Sequence, residues 1–180
     1  MDAQEDRQFA AGSYVVSAEA PHATIMAVTG TGSSEDPLIV HQIVHDGGAS
    51  TLTVRFYDPR FLRPATATEG NFLKLAMTLV IRNASGRAWV GFDVELQQES
   101  RLPSVYEDGL SFDQMRVLRR REIGSDSFVE AVRALEPYDE IRFLDGFVDP
   151  GQSARFDINI IDVTPNGVFH LKQIPRLPAS

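Results

Sequence analysis

Between Leu73 and Arg82 the chain alternates oily and wet side chains, and this two-residue rhythm constrains the fold more than any other feature. Leu73, Leu75, Met77, Leu79 and Ile81 fall on one face, Lys74, Thr78 and Arg82 on the other, interrupted only by Ala76 and Val80. A helix repeats its apolar positions at three and four residues, so a sustained period of two means an extended strand with one buried face. Asn83-Ala84-Ser85-Gly86 then offers a turn, and Arg87 to Gln97 repeats the pattern with Val90, Phe92, Val94 and Leu96 against Gly91, Asp93 and Glu95. These two segments are expected to pair antiparallel and to form the centre of a sheet.

The same reading extends to most of the chain. Ser13–Ser17 and Ala23–Thr29 are short β-prone runs parted by Pro21, and Leu38–His45 follows a loop rich in turn formers. Asp46-Gly47-Gly48 separates that run from Thr51–Tyr57, a spacing that predicts a hairpin. Strands are also expected over Glu140–Val148, Ser153–Val163 and Val168–Ile174, with Ala154, Phe156, Ile158 and Ile160 facing inward in the second of these. Residues 1–12 lack periodicity and read as a flexible arm bearing one apolar anchor, Phe9. Residues 99–137 read as an irregular insertion in which Asp113–Leu118 and Ser127–Leu135 have helix-compatible spacing, so one short helical excursion is expected there. Eight or nine strands with turn signals every 8–12 residues imply a mainly β chain. The expected architecture is a single antiparallel β-sandwich over residues 13–180, of immunoglobulin-like or jelly-roll type.

Composition narrows the chemistry. A chain of 180 residues, 43% hydrophobic, can bury roughly 70% of its unfolded surface in one core without metal or disulfide. It holds no cysteine, which excludes disulfide frameworks, thiolate zinc sites and thiol nucleophiles. The net charge of −8 opposes nucleic acid as a partner, because phosphate binding needs clustered Lys and Arg, and the run Arg119-Arg120-Arg121 beside Glu122 reads as a solvated turn. No apolar stretch approaches the ~20 residues of a membrane-spanning helix, so membrane insertion is not expected. The first seven residues are polar and acidic and do not resemble a secretory signal.

Two stretches carry a resemblance. The strand, turn and strand from Asn83-Ala84-Ser85-Gly86 through Trp89-Val90-Gly91-Phe92 is similar to the Asn-x-Ser/Thr-Gly turn and Trp-x-x-Phe strand of bacterial surface and secreted immunoglobulin-like β-sandwich modules. Val148-Asp149-Pro150-Gly151-Gln152-Ser153-Ala154-Arg155-Phe156 resembles the Pro-Gly start of a late strand in the same broad group. The likeness is one of fold and transfers no catalytic residue. It implies an extracellular or cell-envelope setting, although those modules usually carry a signal peptide.

Candidate site residues are few. His41 and His45 are four apart, which on a strand is about 13 Å, too far for one metal. Glu107-Asp108-Gly109-Leu110-Ser111-Phe112-Asp113 gathers carboxylates and a hydroxyl in one turn, so Asp108, Ser111 and Asp113 are candidate calcium ligands, the only cofactor suggested. The spacing is not that of an EF-hand, and ordinary turn capping is the competing reading. No Gly-x-Ser-x-Gly, phosphate-binding or dinucleotide motif is present. A hydrolase would have to assemble its carboxylates in space from Asp93, Glu95, Asp108, Asp113 and Asp157. Trp89, the only tryptophan, sits one residue before the inward row that begins at Val90, which places it on the opposite face. There it would serve as a ligand or partner anchor if exposed and as core if covered. The leading expectation is therefore a non-enzymatic structural or protein-interaction module, with Phe9 and Trp89 as contacts to other protein chains or to a second copy. The alternative is a carbohydrate- or calcium-dependent ligand-binding domain.

Overall fold

In the computed structural model, which describes residues 7–19, 21–57, 72–113, 122–133 and 139–179, the chain is mainly β, in two sheets packed face to face. The strands are β1 (Phe9–Ala11), β2 (Tyr14–Ala18), β3 (Ala23–Thr29), β4 (Leu38–Val44), β5 (Ser50–Phe56), β6 (Leu73–Asn83) and β7 (Gly91–Gln97). They are followed by β8 (Leu110–Phe112), β9 (Gly124–Ser125), β10 (Phe128–Arg133), β11 (Glu140–Gly146), β12 (Ser153–Asp162) and β13 (Val168–Arg176). One sheet has seven strands in the order β1-β2-β5-β13-β7-β11-β10; the other has six, β3-β4-β6-β12-β8 with β9 also on β12.

The alternation of β6, β7 and β12 holds, but their neighbours differ from expectation. β6 and β7 lie in different sheets; β6 pairs instead with β12, setting Leu79 opposite Phe156, and β7 pairs with β13 and β11. Likewise β4 and β5 are no hairpin, because the chain crosses from one sheet to the other between them. Asp46 accepts the Gly48 N–H at 2.7 Å, and side chains at Gly47 and Gly48 would collide with Leu177 and His22. The glycines thus serve a closely packed crossing, where a two-residue turn was expected. Two crossings in succession also break the antiparallel rule: the chain runs along β4, back along β5 in the other sheet, and returns on β6, so β4 and β6 lie parallel. Gln42, on β4, and Gln173, on β13, bond each other through their side-chain amides from opposite sheets, both buried.

Two further expectations are corrected. Phe9–Ala11 is an edge strand on β2, and Phe9 packs against the core, so this part of the N-terminal segment is not a free arm. Residues 1–6 lie outside the described residues. Phe128–Arg133, expected within a helix, is strand β10, paired with β11. Its β-branched Val129 and Val132 suit an extended chain, and β11 supplies the backbone partners that an isolated helix of this length would lack. Asp113–Leu118 lies almost wholly outside the described residues, as does Arg119–Arg121. The only helical element described within 99–137 is one 3-10 turn at Tyr106–Asp108. The rest of the described insertion extends both sheets, through β8 and β9 on one and β10 on the other. Arg133 ties these edges together: its half-buried guanidinium donates to the carbonyls of Phe112 and Asp113, and desolvation lowers its pKa.

Aromatic rings fill the middle of the sandwich. Phe156 stacks on Phe92 at 4.6 Å between centroids and meets Phe143 edge-on at 4.9 Å, while Trp89 lies 5.5 Å from Phe92. Contacts of this geometry add to the ordinary gain from apolar burial.

Candidate functional site

The two stretches that carry the resemblance meet at one end of the sandwich. Asn83, buried at the end of β6, donates its two amide hydrogens to the carbonyls of Arg87 (2.8 Å) and Val148 (2.9 Å). Its side-chain oxygen accepts from the Ser85 N–H and hydroxyl, and its backbone carbonyl takes the Gly151 N–H at 2.7 Å. One asparagine thus holds both turns, satisfying polar groups that burial would otherwise leave unpaired.

Trp89 is part of this structure and has no exposed surface. It pairs through its backbone with Val148 and donates its indole N–H to Ser85 Oγ at 3.1 Å. The expectation that it occupies the face opposite Phe92 fails because β7 starts only at Gly91. The break at Val90–Gly91 turns Trp89 inward and leaves Val90 43% exposed. Trp89 is core and offers no ring to a ligand or a partner.

Asp108 is likewise consumed locally. Oδ1 accepts from Ser104 Oγ (2.8 Å) and the Leu110 N–H (3.0 Å), and Oδ2 accepts from the Val105 N–H (3.0 Å). Three donors on one carboxylate make it the cap of the Tyr106–Asp108 turn. Ser111 lies in β8 opposite Ile161, and Asp113 is buried just past the end of β8. The described residues contain no group of three His, Asp or Glu side chains arranged to hold a metal ion. The carboxylates considered for hydrolysis are also dispersed. Asp93 and Glu95 alternate with the buried Phe92, Val94 and Leu96 and so lie on the outer face of the seven-stranded sheet, where Asp93 pairs with Arg176 and Glu95 with Lys172. Asp157 sits on the outer face of the other sheet, bonded to Thr78 at 2.7 Å and to Arg155.

Several titratable groups are perturbed. Burial raises the pKa of Asp93 despite its bond to Arg176, and lowers that of His170, whose Nδ1 lies 3.0 Å from Thr53 Oγ1. Asp46 is held below the usual carboxylate range by its hydrogen bond to His22 Nδ1 at 2.9 Å, helped by the Gly48 N–H. His45 bonds Thr24 through Nε2 at 2.9 Å, and His41 is exposed on β4. Asp162 is pushed up to about 6, first by burial, against the Thr164 N–H that favours its ionised form, and further by the charge of Asp108.

Sequence reasoning missed one surface. On β10, an edge strand of the seven-stranded sheet among the described residues, Val129 is 82% and Val132 44% exposed, with Glu130 and Ala131 exposed between them. Phe147, which directly follows β11, is 65% exposed. The spacing of Ser127–Leu135 is also compatible with a helix, so the β-branching of Val129 and Val132 was the available signal of an extended strand.

Fold and site together define a two-layer, mainly β domain with an apolar edge. Comparison with known protein families, curated proteins and solved structures finds no match to this chain. Among the described residues no helix is long and apolar enough to cross a membrane.

Proposed function

We propose that this domain is a non-enzymatic structural or protein-interaction module of an envelope, secreted or particle assembly, built as an immunoglobulin-like or jelly-roll sandwich. The observation that supports it is the exposed apolar edge formed by Val129 and Val132 on β10, with Phe147 exposed just beyond β11. A strand edge carries backbone donors and acceptors that can take up a further strand, and apolar side chains there favour coverage by another chain. β10 carries the charged Glu130 and Arg133 but no lysine or proline, and its two valines stay exposed beside them. Phe9 contributes from within, by fixing β1 to the core at the opposite edge of the same sheet.

The test is light scattering over a range of concentrations, with retention assays on immobilised protein, for the native chain and a Val129→Lys/Val132→Lys variant. The proposal expects the native chain to exceed its monomer mass of 19.9 kDa or to retain a protein that the variant does not. A native chain that stays at monomer mass throughout and retains nothing beyond what the variant retains overturns it.

A further inference from the structure

Asp162 occupies an unusual place. Ala154, Phe156, Ile158 and Ile160 form the inward row of β12, and the next position in that row is a carboxylate. It is fully buried, flanked in the sheet by Leu73 on β6 and Leu110 on β8, both buried. Oδ1 accepts the Thr164 N–H at 2.9 Å, whereas Oδ2 has no hydrogen-bond partner among the described residues. Buried carboxylates without a full set of donors are costly in the ionised form.

The neighbouring turn is clasped to the same strand end. Thr164 Oγ1 donates to the Asp108 carbonyl at 2.6 Å, and the Val163 N–H donates to the Gly109 carbonyl at 3.0 Å. Gly109 adopts a φ of 81°, and a side chain there would lie 2.5 Å from Thr164 Oγ1, so the two segments approach as closely as backbone allows. Thr164 thus stands between the Asp162 carboxyl and the Asp108 residue.

We propose that Asp162 is a proton-operated latch that holds the Tyr106–Asp108 turn against the end of β12, closed when Asp162 is protonated and loosened when it is ionised. The groups around Asp162 support this assignment. From β6 it meets Leu73, while Lys74 alternates to the other face and sits over the Phe72 ring at 4.7 Å. From β8 it meets Leu110, with the neutral Ser111 next in sequence; the turn brings Glu107 and Asp108, and the loop after β12 brings Thr164. Of the charged groups described near it, Asp108 is the one whose field acts on Asp162, and it acts against ionisation. The rise in pKa from 3.8 to about 6 carries the consequence. Opening the latch rehydrates Asp162, so ionisation favours the open form by tenfold per unit of pKa difference relieved, on the order of tenfold to a hundredfold here.

The test combines carboxyl NMR titration of the full chain with amide-exchange protection at Val163 and Thr164 between pH 5 and pH 8. The latch predicts that Asp162 titrates near pH 6 and that both protection factors fall at least tenfold across that midpoint. Asp162→Asn should leave them level over the same range. An Asp162 midpoint near 4, or an equal loss of protection in Asp162→Asn, overturns the proposal.

Discussion

Replacing Gln42 by leucine strands the amide of Gln173 in the middle of the sandwich, and the cost can be worked from the geometry. The two side chains reach from opposite sheets and bond reciprocally, Gln42 Nε2 to Gln173 Oε1 and Gln173 Nε2 to Gln42 Oε1 at 3.4 Å, with at most 2% of either residue exposed. Leucine at one position removes that partner and supplies no donor or acceptor, so the remaining amide bears its desolvation penalty alone, about 1–3 kcal/mol. Gln173→Leu does the same to Gln42. With both changed, no polar group is left stranded and two side chains of similar volume meet as hydrocarbons, so the double variant should return to within about 1 kcal/mol of the native chain. Urea unfolding reads the cycle through shifts in midpoint at constant slope. For a chain of this size each kcal/mol moves the melting temperature by about 2–4 °C. A double variant whose loss equals the sum of the singles would show that the amides do not meet, and that the sheets are not stacked in this register.

Three further outcomes follow from the site. Trp89→Phe keeps an aromatic ring but loses the bond to Ser85, so it should destabilise by about 1–3 kcal/mol in thermal melts; in the native chain Trp89 emission should be blue-shifted and shielded from quenchers, and red emission would contradict its burial. Asp108→Ala removes the acceptor of three donors and should cost about 1–3 kcal/mol, with calcium changing the melting temperature of neither protein; a calcium-dependent rise in the native chain would refute the capping role. Asp46 is depressed below 3.8 in the folded state, so its contribution to stability is present above that value and is lost as pH falls through the lower folded one. His22→Ala should raise the Asp46 midpoint toward 3.8 in an NMR titration, and an unmoved midpoint would show that the hydrogen bond to His22 is not the cause.

The strands themselves were legible because burial on one face of a sheet writes itself into the chain at every second residue. Leu73 to Ile81 and Ala154 to Ile160 could be assigned to the core on that basis alone, and both rows are buried. Pairing was not legible. Alternation states which face of a strand is buried but not which strand lies beside it, so the Asp46-Gly47-Gly48 and Asn83–Gly86 turns suggested hairpins where the chain changes sheets. Trp89 was misplaced by the same rule, carried one residue too far across the break before Gly91. Asp162 was readable in principle: continuing the inward row of β12 by one step lands a carboxylate in the core. The bond between His22 and Asp46 and the seam made by Arg133 join residues more than 19 apart, and no local pattern announces them.

Backbone nuclear Overhauser effects across the longest strands address the two-sheet arrangement itself. The account predicts antiparallel cross-strand contacts joining Thr78 to Asp157 and His170 to Gln97, with parallel contacts between β4 and β6 placing Val40 beside Leu79. A ladder joining β6 directly to β7, with Leu79 and Phe92 on adjacent strands of one sheet, would contradict it.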